Sequence, residues 1–428
     1  MNILLLGSGG REHALAWKIA SSPLCKQFHT APGNAGTEQC GINVPIPVTD
    51  FPALKNYIIE KQIDFIIVGP EDPLVKGFKE YLEADSLTKE ILFLGPGKAG
   101  AELEGSKDFA KVFMQRNNIP TAAYQTFTKD TLEEGLGFLR SLKAPYVLKA
   151  DGLAAGKGVI ICSEIKEAET TLRSLLYDRA FGEASDRVVI EEFLDGIELS
   201  VFVLTDGKNY VILPEAKDYK RIGDADTGPN TGGMGAVSPV PFADTAFMKK
   251  VEDRIVKPTI DGFAKAKIDY RGFVFIGLMN VNGDPYVIEY NVRMGDPETE
   301  VVIPRINSDL VELLSSAAKG SLSKNHISID SRFAMTVMLV SGGYPGGYQK
   351  GKRILGIDQV KDCKVFHAGT MSVERNEIIT NGGRVLAVTI QSGSIAEARE
   401  RIYKEIEKIS FEGMNYRKDI GLDLMNLK

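Results

Sequence analysis

Short apolar runs alternate with helical patterns over the first hundred residues of the chain. Strand-like runs such as NILLLG, IDFIIVGPE and ILFLGP end in glycine-rich turns, and amphipathic segments over 11–20 and 52–61 lie between them. This alternation predicts parallel strands joined by crossover helices. Ligands bind at the carboxyl ends of such strands. We therefore expect residues 1–105 to form a doubly wound parallel sheet that binds a substrate.

The pattern changes after residue 105. The segment GSKDFAKVFMQRNNIP begins with Ser106 as a helix cap and stops at Pro120, which predicts a helix between two domains. Strands YVLKA, VIICS and RVVIEEF with one helix then form a compact β-rich unit over about 121–191. Longer strands follow as two hairpins, one turning at Asn282-Gly283, where both residues must take positive φ. The middle of the chain is therefore predicted to be antiparallel.

The last hundred residues form a separate pattern. Strands AMTVMLV and RVLAVTI precede a helix capped by Ser394, with Glu397 three residues on as a capping box. Apolar residues line one face of this helix, so it packs on a sheet: Ile395, Ala398, Ile402, Ile406 and Ile409. We expect three domains, at 1–105, 106–327 and 328–428, the last a small α+β domain.

Composition narrows the function classes. A net charge of −6 over 428 residues gives no general attraction to nucleic acid or anionic membranes, so we expect neither as a partner. Four cysteines are widely spaced without C-x-x-C, which argues against disulfides and zinc and favours the cytoplasm. The amino terminus lacks the features of a signal peptide. No apolar run is long enough to span a membrane.

The segment GSGGREH follows a strand and precedes a helix, where dinucleotide-binding proteins carry G-x-G-x-x-G. Glu12 stands at the position of the third glycine, which argues against a nicotinamide site and an oxidoreductase. Two interpretations stay open. The turn binds one phosphate through amides at a helix N-terminus, or it is a tight turn without a ligand.

A glycine-rich loop between lysines occurs in KADGLAAGKGVI. It is not a P-loop, because Gly152 and Gly156 are too close together and Gly158 stands where Ser or Thr is needed. Lys149 closes a strand and Lys157 lies in a loop that leads into the next strand, so the segment predicts a hairpin. Such a hairpin can fold over phosphates as a lid. A plain turn is the alternative.

The segment EEFLDGIE has the features of an adenosine site. Glu191 and Glu192 end a strand, Phe193 and Leu194 follow, and Glu198 comes a few residues later. An adenine ring needs an apolar slot with backbone hydrogen bonds, and its ribose needs a carboxylate within reach. A surface strand end would give the same pattern.

The segment VIEYNVRMGDPETE is the most specific one. Alternation puts Glu289, Asn291 and Arg293 on one face of a strand together with Val287, while Ile288 faces the other way. Glu289 and Asn291 supply oxygen ligands for a magnesium ion on a triphosphate. Arg293 would neutralise the transferred phosphoryl oxygens.

Two neighbouring segments are also singled out. GDPETE fits a helix start, with Asp296 as the cap and Pro297 at the first helical position. The nineteen residues from Asp218 to Ala236 predict a long loop without regular structure, which is uncommon unless the loop is functional. With Lys220, Arg221 and several carboxylates, this loop suits a zwitterionic or phosphorylated substrate.

The order of these motifs resembles the ATP-grasp superfamily, which activates a carboxylate as an acyl phosphate that an amine then attacks. Within it, GGREHALAW, APGNAGT, VGPEDPLVKG, LEGSKDF, KADGLAAGKGV, IEEFLDG, DTGPNTGGMGA and RMGDPETE are similar to blocks of the phosphoribosylamine–glycine ligase family. These blocks run from Gly9 to Glu300, and the C-terminal residues have the length of that family's closing domain. The resemblance therefore covers essentially the whole chain.

The resemblance implies an α/β multidomain fold with a central ATP-grasp domain, whose lid subdomain is about 121–191. It implies a ligase of purine biosynthesis that joins glycine to 5-phosphoribosylamine through glycyl phosphate, giving glycinamide ribonucleotide, ADP and phosphate. ATP is the co-substrate and Mg²⁺ or Mn²⁺ the metal cofactor. We expect a monomer in the cytoplasm, with a transient contact to the upstream amidotransferase.

The resemblance also assigns site residues. ATP is assigned to Lys107, Lys149, Lys157, Gly156, Gly158, Glu191, Glu192, Phe193, Leu194 and Glu198. The metal is assigned to Glu289 and Asn291, and the chemical step to Arg293 and Lys149. The other two substrates are assigned to Gly9, Gly10, Asn34, Glu71, Asp218, Lys220 and Arg293.

One departure concerns the metal. Many ATP-grasp enzymes carry a further acidic ligand on the strand before the E-x-N strand, but GFVFIGLMNV has none, which leaves the number of ions open. Two alternatives remain beside the ligase. Another ATP-grasp enzyme, such as a biotin-carboxylase-like one, would share the ATP residues. A nucleotide-binding regulatory protein would have lost the phosphoryl-handling residues, and these are present.

Overall fold

The computed structural model describes residues 1–153, 158–322, 327–374 and 377–426. Its first part is a five-stranded parallel sheet in the order β3-β2-β1-β4-β5, with β1 at the centre. The strands are β1 Asn2–Gly7, β2 Gln27–Pro32, β3 Ile42–Asn43, β4 Phe65–Val68 and β5 Leu92–Leu94. The helices are α1 Gly10–Ala20, α2 Phe51–Glu60, α3 Asp72–Val75, α4 Phe78–Glu83 and α5 Lys98–Gly105. The predicted doubly wound sheet is confirmed.

Helix α6, Lys107–Arg116, follows directly, and the hydroxyl of Ser106 caps it by accepting from Phe109 N at 3.1 Å. An antiparallel sheet in the order β6-β9-β7-β8 comes next. Its strands are β6 Tyr124–Thr128, β7 Tyr146–Ala150, β8 Val159–Cys162 and β9 Arg187–Glu192, with helices α7 Leu132–Ser141 and α8 Ile165–Arg173. Lys149 pairs with Val159 across β7 and β8, which confirms the predicted hairpin.

The third part is an antiparallel sheet in the order β11-β10-β16-β17. Its strands are β10 Ile197–Thr205, β11 Tyr210–Ile212, β16 Gly272–Val281 and β17 Asp284–Asn291. Helices α9 Thr245–Val251, α10 Lys257–Lys265, α11 Thr299–Val302 and α12 Leu310–Ala318 accompany it. Asn282 and Gly283 have φ of 51° and 84°, which confirms the predicted hairpin turn.

The polar segment 218–236 is not the unstructured loop that its sequence predicts. It contains four short strands, β12 Lys217–Asp218, β13 Arg221–Gly223, β14 Thr227–Asn230 and β15 Gly235–Ser238. β13 and β14 form a small hairpin that Arg417, near the C-terminus, holds through an ion pair with Asp226 at 2.6 Å. Strands this short and polar are fixed by a distant contact, so the local pattern does not reveal them.

The C-terminal part contributes β18 Phe333–Val340, β19 Lys364–His367, β20 Thr370–Val373, β21 Glu377–Thr380, β22 Arg384–Ser392 and α13 Ile395–Ile406. Its sheet has the order β12-β15-β18-β22-β19 and so includes two strands from the polar segment. The hydroxyl of Ser394 accepts from Glu397 N at 3.2 Å, as predicted for the cap. Ile409 lies beyond the end of α13 but is buried with the same face.

One apolar cluster runs through three of these sheets, the parallel, the central and the C-terminal one, and includes Leu4 of β1, Ile276 of β16 and Val388 of β22. The parallel sheet, the central sheet and the C-terminal sheet are therefore packed against one another. Among the described residues, no helix is both long and apolar enough to cross a lipid bilayer.

Candidate active site

A buried row of alternating charges lies beside the glycine hairpin. The Oε1 of Glu191 is 2.9 Å from Lys149 Nζ, and its Oε2 is 3.2 Å from Lys111 Nζ. The three residues are only 4%, 5% and 2% exposed, respectively. Burial lowers the pKa of Lys111 to about 8, although the charge of Glu191 opposes this. Lys149 is thus held in place within the protein, and Lys111 is a site residue that the sequence reasoning missed.

The base of the glycine hairpin is tied to the start of α6. Asp151, the first residue after β7, accepts from the hydroxyl of Ser106 at 3.0 Å and from the amide of Asp108 at 2.7 Å. The carboxylate therefore caps α6 from outside. The centre of the loop, with Gly156 and Lys157, lies outside the described residues.

Lys107 points from the first turn of α6 into the same hairpin. Its Nζ donates to Gly152 O at 3.0 Å, and Gly158 O accepts from Ala150 N at 2.8 Å to close the base of the loop. Burial lowers the pKa of Lys107, and the charge of Glu289 opposes this shift. Two lysines from different elements, Lys107 and Lys149, thus lie at one hairpin.

The strand that carries the predicted metal ligands contains a β-bulge. Glu289 pairs with Gly277 and Val287 pairs with Leu278, so Ile288 is the extra residue. Val287 is buried in the core with Leu278, whereas Ile288 and Glu289 line a cleft. The prediction that Val287 shares the face of Glu289 and that Ile288 faces the other way is wrong, because the bulge reverses the alternation at this point.

Glu289 and Asn291 lie side by side at the end of β17. Asn291 Nδ2 is 3.4 Å from Glu289 Oε1, and Asn291 Oδ1 accepts from Arg293 Nη2 at 3.1 Å. A carboxylate and an amide oxygen are hard ligands that fit Mg²⁺ or Mn²⁺. Among the described residues no three His, Cys, Asp or Glu side chains form a metal cage. This donor set therefore fits an ion that also takes ligands from a bound phosphate and water.

Arg293 is surrounded by acceptors from several elements. Its Nη2 is 2.8 Å from Glu104 Oε1, its Nε is 3.3 Å from Glu71 Oε2, and its Nη1 donates to Met294 O at 3.3 Å. Glu104 also accepts from Val292 N at 2.7 Å through its other oxygen. Burial raises the pKa of Glu104 to about 7, although the charge of Arg293 opposes this. The sequence reasoning included Glu71 but missed Glu104.

An acidic corner lies on the other side of Glu289. Lys220 Nζ pairs with Glu198 and is 3.7 Å from Asp218 Oδ1. Glu298 accepts from the hydroxyl of Ser200 at 3.2 Å, and burial together with the charge of Asp218 raises the pKa of Glu298 to about 7. A small cleft opens between Glu198, Ser200 and Lys220. Three carboxylates around one lysine suit a ligand that carries an ammonium group, and Glu298 was missed from the sequence.

The last residue of β9, Glu192, and the residues that follow it face outward, whereas Glu191 faces inward. Glu191 points into the buried row, whereas Glu192 is exposed and accepts from Ala123 N at 2.9 Å. Phe193 is 38% exposed and Leu194 is half-buried. The exposed phenylalanine leaves an apolar surface uncovered two residues after the buried Glu191.

The glycine turn before α1 uses several of its polar groups within the protein. Gly9 N donates to Glu12 Oε2 at 2.5 Å, and Arg11 N donates to Asp296 Oδ2 at 3.2 Å. Both carboxylates lie where an anion would lie at a helix N-terminus. A phosphate at this turn would have to displace them.

Asp296 is not the cap of its own helix, so that prediction is wrong. Helix α11 begins only at Thr299, with Glu298 at the position before it. The carboxylate of Asp296 instead accepts from Arg11 N in α1 and pairs with Arg384 Nη2 of β22 at 2.9 Å. The side chain caps a helix that is distant in sequence, which local spacing cannot reveal.

Asn34 and Gly10 lie at a junction where the glycine turn before α1 meets the C-terminal part of the chain. The two N–H groups of Asn34 share four carbonyl oxygens, at 2.9 Å from Ser8, 3.2 Å from Gly9, 2.7 Å from His367 and 3.3 Å from Ala368. Asn34 thus joins the glycine turn to the C-terminal part.

At Gly10, an added Cβ would lie 2.3 Å from a carboxylate oxygen of the buried Glu300, so a larger residue would have to displace that side chain. The structure therefore brings together Lys107, Lys149, Glu191, Glu289, Asn291 and Arg293 around one hairpin and strand end, with Glu198, Asp218 and Lys220 next to them.

Three domain families match the chain almost end to end. The phosphoribosylglycinamide synthetase N domain matches residues 1–104, its ATP-grasp (A) domain matches 105–299 and its C domain matches 334–423. The phosphoribosylamine–glycine ligase of Escherichia coli O6:H1 is 48% identical over 426 residues, which is 98% of both chains. That of Yersinia pestis is also 48% identical over 98% of both.

Solved structures agree with these matches. The phosphoribosylamine–glycine ligase of Thermotoga maritima superposes with a TM-score of 0.85 at 37% identity, covering 98% of this chain and 100% of its own. The biotin carboxylase domain of the Hydrogenobacter thermophilus 2-oxoglutarate carboxylase has a TM-score of 0.74 at 18% identity, covering 100% of this chain and 94% of its own, which shows the shared fold alone. On the motifs, the fold and these relatives, the chain belongs to the phosphoribosylamine–glycine ligase family of ATP-grasp enzymes.

Proposed function

We propose that the chain ligates glycine to 5-phosphoribosylamine at the expense of ATP. A carboxylate oxygen of glycine attacks the γ-phosphorus of ATP, the bond to the bridging oxygen breaks, and ADP leaves with the electron pair. The amine nitrogen then attacks the carbonyl carbon of glycyl phosphate, the bond to the phosphate oxygen breaks, and the nitrogen loses one proton. A ligase of this class forms a carbon–nitrogen bond, which matches the family of the chain.

Lys107 and Lys149 are proposed to hold the phosphates of ATP. Both ammonium groups lie at the glycine hairpin, and Lys149 is fixed by Glu191 before any nucleotide binds. Pre-organised cations lower the barrier because they need no reorganisation while negative charge develops. The loop with Gly156, Gly158 and Lys157 would close over the phosphates.

The adenosine is proposed to lie against the segment after β9. Glu192, Phe193 and Leu194 would contact the adenine through backbone groups and the exposed apolar surface. Glu191 would act mainly by holding Lys149. Glu198 would accept from the ribose, which requires it to share its carboxylate with Lys220.

Glu289 and Asn291 are proposed to hold Mg²⁺ or Mn²⁺, and the ion would neutralise phosphate charge when bound. Arg293, whose Nη2 touches Asn291, would stabilise the transferred phosphoryl group. The acidic corner with Asp218 and Lys220 is proposed to receive glycine, because carboxylates attract its ammonium group and the lysine attracts its carboxylate. Gly9, Gly10, Asn34 and Glu71 would border the ribosylamine.

The observation that carries the proposal is the convergence of two lysines, an arginine and two metal-type ligands at one hairpin and strand end. The test is ADP release with magnesium, ATP and glycine, with and without phosphoribosylamine generated in the cuvette. We expect ADP only when all substrates are present, with one glycinamide ribonucleotide formed per ADP. ATP binding without ADP release under any combination would contradict the ligase and favour a regulatory protein.

An oxygen-transfer experiment tests the intermediate. Glycine labelled with ¹⁸O in its carboxylate should deliver one labelled oxygen to inorganic phosphate, because the oxygen that attacks phosphorus leaves with it. Unlabelled phosphate alongside normal product would exclude glycyl phosphate.

We further propose three working domains, at 1–105, 106–327 with a lid at about 121–191, and 328–428. Four free cysteines fit a reducing cytoplasm. A monomer would suffice, because every proposed site residue belongs to one chain. A transient contact with the upstream amidotransferase would shorten the exposure of the unstable ribosylamine to water.

A further inference from the structure

We propose that Glu104 is a positioning residue for phosphoryl transfer, which it serves by fixing the guanidinium of Arg293. This inference rests on the proposed function, because it takes Arg293 to act on the acyl phosphate. Glu104 lies in the last turn of α5, immediately before the helix that carries Lys107. It would touch no substrate and would act only through Arg293.

Glu104 uses both carboxylate oxygens on one short stretch of chain. Oε1 lies 2.8 Å from Arg293 Nη2, and Oε2 accepts from Val292 N at 2.7 Å. The side chain of Glu104 is only 6% exposed, so water competes little for either contact. A carboxylate that grips the guanidinium and the preceding amide fixes both the side chain and its backbone.

The two carboxylates on Arg293 are not equivalent. Glu71 Oε2 lies 3.3 Å from Arg293 Nε and its side chain is 29% exposed, whereas Glu104 is closer and buried. A long and partly solvated contact is worth less and exchanges more readily. We therefore expect a substrate to replace Glu71 at Arg293, while the contact between Glu104 and Arg293 stays in place.

Through Arg293, Glu104 also affects the position of a proposed metal ligand. The same Nη2 that pairs with Glu104 donates to Asn291 Oδ1 at 3.1 Å. Moving the guanidinium would release Asn291 as well, and a misplacement of about 1 Å can cost on the order of 100-fold in rate. Glu104 therefore couples the direction of Arg293 to that of a proposed metal ligand.

The first variant is Glu104→Gln, which keeps an oxygen for Val292 N but removes the charge that holds Arg293. We expect kcat to fall about 30-fold while KM for ATP changes less than about threefold. Glu104→Asp keeps the charge and should recover part of kcat. Glu102→Gln, at an exposed position of the same helix, is the matched control and should behave like wild type.

A double-mutant cycle separates positioning from a general effect on folding. In an Arg293→Lys background, adding Glu104→Gln should cost less than about threefold in kcat, because the contact between the guanidinium and Glu104 is already gone. Equal 30-fold losses in both backgrounds would show that Glu104 acts through the fold and would overturn the inference. An unchanged kcat in Glu104→Gln with an active wild type would also overturn it. A wild type that releases no ADP would overturn the proposed function itself.

Discussion

Two glycine-rich segments in this chain differ in the charged groups that lie beside them. In the turn before α1, Gly9 N and Arg11 N donate to Glu12 and Asp296, so carboxylates of the protein lie at the helix N-terminus. At the hairpin between β7 and β8, two cations, Lys107 and Lys149, lie beside the loop, while the carboxylate of Asp151 at its base is used to cap α6. A glycine-rich sequence therefore does not by itself make a phosphate site. The sign of the charges that the tertiary structure places beside it decides what it can bind.

The difference follows from which parts of the chain supply the groups that contact each segment. Asp296 reaches the turn from beyond β17, and Asn34 ties the turn to carbonyls of the C-terminal part. These contacts hold two parts of the chain together. In its described residues, the hairpin is tied at its base, where Asp151 meets α6. One glycine segment thus serves as a junction, and the other is proposed to serve as a lid.

The largest effect is expected at Lys149. Lys149→Ala removes a proposed phosphate ligand and leaves Glu191 with Lys111 alone, so both ATP affinity and turnover should fall, with kcat/KM lower by about 100- to 1,000-fold. Arg293→Ala should reduce turnover far more than ATP affinity. Steady-state kinetics and calorimetric ATP binding measure the two separately.

Lys143→Ala is the control for Lys149, because that lysine is exposed shortly before the same strand. Equal losses of ATP binding in Lys149→Ala and Arg293→Ala would contradict the division of roles between the two residues.

Much of the fold could be predicted from the sequence, because it depends on local periodicity. The parallel sheet, the hairpin at Lys149 and the turn at Asn282-Gly283 all follow from patterns within a few residues. The bulge at Ile288 was missed because alternation assumes an unbroken ladder. One extra residue reverses which side chains face the cleft.

The supporting residues of the site could not be predicted in this way. Glu104 and the amide of Val292 are 188 residues apart in the chain, and their contact follows only from the packing of α5 on β17. Lys111 lies in a helix where its sequence looks like an ordinary surface position, yet it is 2% exposed and pairs with Glu191. Motifs contain the groups assigned to ligands, but the groups that hold them come from the tertiary structure.

An intermediate effect is expected at Asn34, on stability rather than on ATP. Asn34→Ala removes the amide that joins the glycine turn to the carbonyls of His367 and Ala368, so the free energy of unfolding should fall by roughly 2 kcal/mol. KM for ATP should stay within about twofold of wild type. Urea unfolding and steady-state kinetics test this.

Asn307→Ala, at an exposed position, is the control for Asn34. If Asn34→Ala leaves stability unchanged, whatever happens to KM for the ribosylamine, its amide does not join the glycine turn to the C-terminal part. The contrast between the two glycine segments would then be wrong.

At neutral pH, the smallest effect is expected from His13, which lies at the same junction. Its Nδ1 accepts from His367 N at 2.7 Å, and burial lowers the pKa of His13 to about 3, with the charges of His367 and Lys364 adding to the shift. In the unfolded chain His13 is protonated near pH 6.5, whereas in the folded chain it stays neutral down to about pH 3. The free energy of unfolding should therefore fall as pH drops from 6.5 towards 3.

His13→Asn keeps an acceptor oxygen near the position of Nδ1 but cannot titrate. The smaller side chain lowers the free energy of unfolding by a constant amount at every pH. The removal of the titrating imidazole changes only the slope of this free energy against pH. We expect the slope between pH 6 and 4 to decrease by up to about 1.4 kcal/mol per pH unit. The constant loss and the change of slope are measured separately. A lower free energy of unfolding with an unchanged slope against pH would show that His13 only fills space and that its protonation does not destabilise the fold. The junction would then owe its acid sensitivity to His367, whose pKa is lowered by burial to about 4.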